Sequence, residues 1–118
     1  MNRLTIKLPW PPAALNPNKR KHWAALAAAK AAYRRECWAE ACAWGVNRFK
    51  VKQLGVHLEF YPPDRRKRDD DNMIAAFKAG RDGLADAVGV DDAEWRTTYA
   101  FPGETGGYVI AVLSEVAA

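Results

Sequence analysis

The segment PPDRRKRDDDNMIAAFK, residues 62–78, sets four consecutive cations, Arg65, Arg66, Lys67 and Arg68, against three consecutive carboxylates, Asp69, Asp70 and Asp71. Three like charges in a row repel one another and raise the cost of keeping each ionised. Two readings account for them. As helix caps, Asp69, Asp70, Asp71 and Asn72 would satisfy amide donors and complement the dipole of a following helix, an effect of about 1 kcal/mol. As ion ligands, Asp69 and Asp71 point to the same side of an extended chain. They then offer the oxygen donors that Mg²⁺ takes together with water and substrate phosphate. A second acidic pair, Asp91 and Asp92, follows in VGVDDAEW. A straight helix of roughly eighteen residues between the two groups would hold them ~27 Å apart, so a shared site requires a shorter helix or a chain that folds back.

Other chemistries have little material. Serine occurs once, at Ser114 in a strand-like segment, which disfavours a serine nucleophile. Cys37 and Cys42 lie five apart in a predicted helix, a rise of ~7.5 Å that exceeds the usual span of a disulfide, and both read as buried thiols. With two histidines, His22 and His57, and no Cys-x-x-Cys pair, a Cys/His zinc site is not supported.

LPWPP near the start, Asn16 a few residues on, PDRRKRDDDN in the middle and VGVDD about twenty residues later are similar, in order and spacing, to the RusA family of Holliday junction resolvases. The resemblance spans most of the chain and implies a homodimeric, Mg²⁺-dependent (Mn²⁺ as substitute) endodeoxyribonuclease. Such an enzyme resolves four-way DNA junctions by paired nicks and is often prophage-encoded. By position it puts the catalytic, metal-binding aspartates at Asp69, Asp71 and Asp92. A lysine expected four residues after the second aspartate is replaced by Ala75, and Lys78, on the same stripe, is the candidate substitute, reaching toward a phosphate. Arg65, Arg66, Lys67 and Arg68 would grip phosphates and favour ionised aspartates. Lys19, Arg20 and Lys21 in NKRKHW form a second DNA-contacting patch. Two competitors stay open: a non-catalytic basic DNA-binding module, and a metal-dependent nuclease acting on flaps or duplex.

The elements that must position these residues follow from periodicity. RLTIKLP (3–9) alternates as a half-buried strand ended by proline. Residues 18–44 form a long alanine-rich helix with Leu26, Tyr33, Cys37, Ala41 and Trp44 as its stripe and Gly45 as its stop. Trp23 reads as the start of that core stripe, with stacking on exposed bases as the alternative. Trp38, Trp44 and Trp95 read as core or dimer interface, and Trp10 as a packed turn. LGVHLEFY (54–61) is a second strand, with His57 and Glu59 on its outer face. A second helix starts within 69–73 and runs to about 88, burying Ile74, Phe77, Leu84 and Val88. EWRTTYAF and GYVIAVLSEV, joined by PGETGG, read as a paired strand unit and as a candidate dimer interface. The order predicts one small α+β domain with a four-stranded mixed sheet and helices mainly on one face.

The chain has 118 residues, eighteen Lys and Arg against fourteen Asp and Glu, and a formal charge of +4. Its cations cluster at 19–21, 30–35 and 65–68, which favours a polyanionic partner. No run has the length of a signal core or a membrane span, so the expectation is a soluble, cytoplasmic protein with no membrane partner.

Overall fold

The computed structural model describes residues 3–18 and 22–116. It is an α+β domain of four strands and three helices: β1 (Arg3–Pro9), α1 (Trp23–Ala43), β2 (Leu54–Tyr61), α2 (Asp70–Ala76), α3 (Lys78–Val88), β3 (Arg96–Ala100) and β4 (Tyr108–Glu115). The sheet order is β1-β4-β2-β3, with β4 antiparallel to both β1 and β2, and β2 parallel to β3. Period-two alternation works as the sequence suggests. Ile6, Leu8, Val56, Leu58, Phe60, Val109, Ala111 and Leu113 point into one core with Tyr33, Cys37 and Ala41 of α1 and Leu84, Ala87 and Val88 of α3. The helices therefore cover one face of the sheet. Among the described residues no helix is long and apolar enough to cross a membrane.

The C-terminal strands differ from expectation. β3 and β4 are not partners, because β2 lies between them. The crossover through α2 and α3 delivers β3 parallel to β2, as a helical connection does. The glycine-rich connection then passes the end of β2, where Gly106 N–H donates to the Pro62 carbonyl (2.8 Å) and Gly107 N–H to the Tyr61 carbonyl (2.7 Å). A hairpin turn is not needed to explain PGETGG, since crossing one strand means spanning two strand spacings, about 10 Å.

The second helix keeps its expected limits but divides at Phe77, which leaves α2 and α3 nearly in line: Phe77 N–H donates to Met73 and its own carbonyl accepts from Arg81. Phe77 is buried, and Phe60 meets it edge-on at 5.8 Å, meets Trp10 edge-on at 6.2 Å and stacks on Phe101 at 5.3 Å. Trp10, the packed turn of the N-terminal segment, is thereby fixed beside the start of α2. The buried Tyr33 hydroxyl donates to the Pro9 carbonyl and ties the same loop to α1.

The expectations for Trp23, for Trp44 as part of the buried stripe and for Cys42 need correction. Trp23 is 76% exposed and stacked on His22, so it is not part of the core. The buried part of the stripe begins at Tyr33, and Leu26 in the turn after Trp23 is only partly buried. Trp38 and Trp44 are also exposed, which removes the core half of their reading and leaves the interface half, whereas Trp95 is in the core. Cys37 is buried and Cys42 only partly so, and both are free thiols. Burial pushes the Cys37 thiol up to about 12, so it stays protonated and unreactive.

The helices α1 and α3 approach most closely at Gly83, where an added Cβ would stand 2.2 Å from the Arg34 carbonyl oxygen and 3.0 Å from the Trp38 nitrogen. Backbone cannot yield as a side chain does. Gly83→Ala should destabilise the protein by at least about 2 kcal/mol in urea unfolding. A change below about 0.5 kcal/mol would contradict this contact.

Candidate functional site

Asp69 occupies the N-cap position of α2 in extended backbone, and its carbonyl accepts from Met73 N–H, but its side chain makes no capping bond. Asp69, Asp70 and Asp71 are all exposed. Among the described residues their carboxylates take part in no hydrogen bond or ion pair. Side-chain capping therefore does not account for Asp69, and the triplet stands as three open sets of oxygen donors.

The cations before the triplet do not serve it. Arg66 donates through Nε (3.2 Å) and Nη2 (3.1 Å) to Asp64 Oδ2, and Arg68 Nη1 lies 2.9 Å from Asp64 Oδ1. Bonds from Arg66, then Arg68, hold the Asp64 carboxyl well below the usual carboxylate range. Arg66 and Arg68 thus turn back to Asp64, which the sequence reading did not single out, rather than forward to the aspartates. The signal was available in PPD, where a carboxylate two and four residues before arginines is in reach of both. Arg65 and Lys67 form no ion pair among the described residues.

The N-terminal loop meets this segment in space. One cleft of about 300 Å³ lies between Trp10, Pro12 and Asn16 on one side and Arg66, Arg68 and Asn72 on the other. A second, of about 500 Å³, is lined by Asn16, Asn18, Lys67, Arg68, Asp69 and Asn72. The guanidinium of Arg68 lies 5.9 Å from the Trp10 ring centroid, a cation–π contact across the junction. LPWPP and Asn16, distant in sequence, therefore form one wall beside Asp69. Lys19, Arg20 and Lys21 lie outside the described residues and follow directly on Asn18.

Asp92 returns to the middle of the same helical unit. Gly89, at φ 77°, ends α3 in the left-handed conformation and turns the chain back. Asp91 caps the 3-10 turn Asp92–Glu94 by accepting from Ala93 N–H (3.0 Å). Asp92 Oδ2 accepts from Lys78 Nζ (2.8 Å) and Arg81 Nε (2.9 Å), which brings it level with the first turn of α3. Lys78 stands seven positions beyond Asp71, a rise of about 10 Å, so the residue that Asp92 meets is well short of the ~27 Å of a straight path. The expected reach of Lys78 toward a phosphate is not what its side chain makes, because its ammonium bridges Asp92 and Asp82 (2.7 Å). Those bonds raise the Lys78 pKa, and the bond from Lys78, aided by the charges of Lys78 and Arg81, lowers that of Asp92. Ala75, where the resemblance expects lysine, lines a groove of about 640 Å³ with Leu15, Lys30, Arg34, Lys78 and Asp82.

Among the described residues no group of three or more His, Cys, Asp or Glu side chains is arranged to hold a metal ion, so Asp69, Asp71 and Asp92 do not form a closed cage. The oxygens are free rather than assembled. Asp69 and Asp71 have no partner among the described residues, and Asp92 Oδ1 accepts no hydrogen bond from a described residue. A hard ion that takes one or two carboxylates and completes its shell with water and phosphate needs no more.

No family model matches the chain. It is 43% identical over 91 residues to an uncharacterized protein of Xylella fastidiosa (strain Temecula1 / ATCC 700964), an overlap covering 75% of this chain and 60% of that protein. The matched chain thus spans about three fifths of that relative's length.

Carboxylates held by cations set an acid limit on stability. Asp86, bonded by Arg34 Nε (2.7 Å) and Nη2 (2.9 Å), is lowered from 3.8 by those bonds, as Asp92 is by Lys78. A depressed folded-state pKa gives stability that is fully present above the unfolded value and is lost as pH falls through the folded one. Arg34→Leu should therefore show a smaller fall in urea midpoint than the parent between about pH 5 and 2. An equal fall would mean that the Asp86 pair does not contribute.

Proposed function

We propose that the protein is a RusA-like, Mg²⁺-dependent endodeoxyribonuclease that nicks four-way DNA junctions. The observation that carries this reading is the meeting of the LPWPP–Asn16 loop with 62–72, which sets the uncommitted Asp69 beside Lys67, Arg68, Asn16 and Asn72, with exposed Asp71 two residues on. Asp69 and Asp71 would hold the ion, with Asp92 as the third carboxylate through Oδ1. A bound Mg²⁺, or Mn²⁺ in its place, supplies an activated water and offsets negative charge on the phosphoryl oxygens.

The chain's own groups do the rest. Lys67 and Arg65, unpaired among the described residues, attract the backbone; Arg68, which uses only Nη1 within the loop, keeps its Nε/Nη2 edge for phosphate oxygens, and Arg66, whose Nε and Nη2 hold Asp64, keeps Nη1. Exposed Trp23, directly after the basic run 19–21, offers a ring on which an unpaired base can stack. Lys78 would engage a phosphate only by leaving Asp82 or Asp92. A two-fold homodimer would offer two equivalent sites to a junction whose strands are related by near two-fold symmetry.

A second reading, a basic DNA-binding module without catalysis, is favoured by one observation: Asp92 is already neutralised by Lys78 and Arg81.

Cleavage of a mobile four-way junction, a flap and linear duplex, each with and without Mg²⁺, separates these readings from each other and from a flap or duplex nuclease. The expected result is Mg²⁺-dependent nicking of the junction alone. Asp71→Asn should abolish nicking while leaving junction affinity within about twofold, because the carboxylate is exposed and bonded to no described residue. Junction binding with no nicking by the parent protein under any divalent ion would overturn the catalytic reading.

A further inference from the structure

The side chain that governs where Asp92 stands is Arg81. Its Nε donates to Asp92 Oδ2 (2.9 Å), Nη2 to the Asp92 carbonyl (3.3 Å) and Thr97 Oγ1 (2.9 Å), and Nη1 to the Tyr99 hydroxyl (2.7 Å). Its guanidinium also lies 5.2 Å from the Trp95 ring centroid. One residue of α3 thus holds three successive stretches of the returning chain: the 3-10 turn, Trp95 and β3. The side chain is 17% exposed, so these bonds are largely shielded from competing water. Lysine cannot replace it, since a single ammonium on a flexible stem does not donate in three fixed directions.

The geometry at the carboxylate is one-sided. Arg81 and Lys78 both bond Oδ2, while Oδ1 accepts nothing from a described residue. Lys78 is the more exposed of the two cations, 58% against 17%, and divides its ammonium between Asp92 and Asp82. Arg81 alone also grips the Asp92 backbone. We propose that Arg81 is a positioning residue that fixes the Asp92 carboxylate against α3 with one oxygen engaged and the other free for a ligand. The proposal rests on the reading that places Asp92 in the ion site, and it assigns Arg81 no contact with substrate.

The test compares the parent, Arg81→Lys and Thr97→Val, the last removing one bond of the same guanidinium without touching Asp92. Amide hydrogen exchange on the full-length protein without metal is the first readout. Arg81→Lys should speed exchange at Ala93 and Trp95 at least about tenfold, with amides of α1 unchanged, and Thr97→Val should leave those two amides within about threefold. Mn²⁺ affinity and junction cleavage are the second. Arg81→Lys should weaken Mn²⁺ binding about tenfold and lower kcat with little change in KM, as loss of a ligand-orienting partner does. Unchanged exchange at Ala93 and Trp95, or parent-like Mn²⁺ affinity in Arg81→Lys, overturns the proposal. If the parent neither binds Mn²⁺ nor cleaves, the functional reading fails, and the exchange data still decide whether Arg81 fixes Asp92.

Discussion

The constraint on which the rest of the molecule depends is the return of the chain after Gly89, clamped by Arg81. Gly89 stops α3 and turns the chain, β3 pairs with β2 beyond the turn, and Arg81 adds a clamp between helix and strand. With it, the guanidinium ties helix, turn and strand together, and Trp95 closes the turn by donating its indole N–H to the Val90 carbonyl (3.0 Å). A half-buried planar cation suits this role because its five donors are arranged rigidly, and four hydrogen bonds use them almost completely.

Around that frame the carboxylates fall into two groups. Asp64, Asp86 and Asp92 are each matched to cations within 3 Å, so folding has already settled their charge. Asp69, Asp70 and Asp71 are not. A run of three exposed like charges with no cation among the described residues turned toward it carries a repulsive cost; the N-terminus of α2, whose first turn holds Asp70 and Asp71, offsets part of it, and on the proposed reading a divalent ion offsets the rest. The arginines that sequence proximity assigns to the triplet are instead held by Asp64, so the local charge pattern reads as two adjacent devices: an ordered pair of guanidiniums, and an open acidic face. On the proposed reading the first receives phosphate and the second receives the ion.

Much of this was legible in the sequence. Alternation in RLTIKLP and LGVHLEFY identified the strands and their inward faces, and the stripe of Phe77, Leu84 and Val88 identified the helix that backs them. What failed were inferences that depend on where elements end up. PGETGG carries every local sign of a tight hairpin, yet strand pairing is set by the crossover before it, which the turn residues do not encode. Trp23 lies on a good helical stripe, but a stripe is buried only where something lies beneath it. Lys78 and Asp92 are fourteen residues apart, and nothing local announces that Gly89 turns the second back to the first. Arg81 is the extreme case: an arginine within an ordinary charged helix, whose importance comes entirely from partners brought to it by the fold.

The central claim is that the acidic triplet and the returned Asp92 serve one ion. Binding of Mn²⁺ followed by electron paramagnetic resonance in the parent, Asp71→Asn and Asp92→Asn tests it most directly. The account predicts one class of bound ion whose affinity falls at least about tenfold in each variant. Parent-like affinity in Asp92→Asn, with binding lost only in Asp71→Asn, would contradict it.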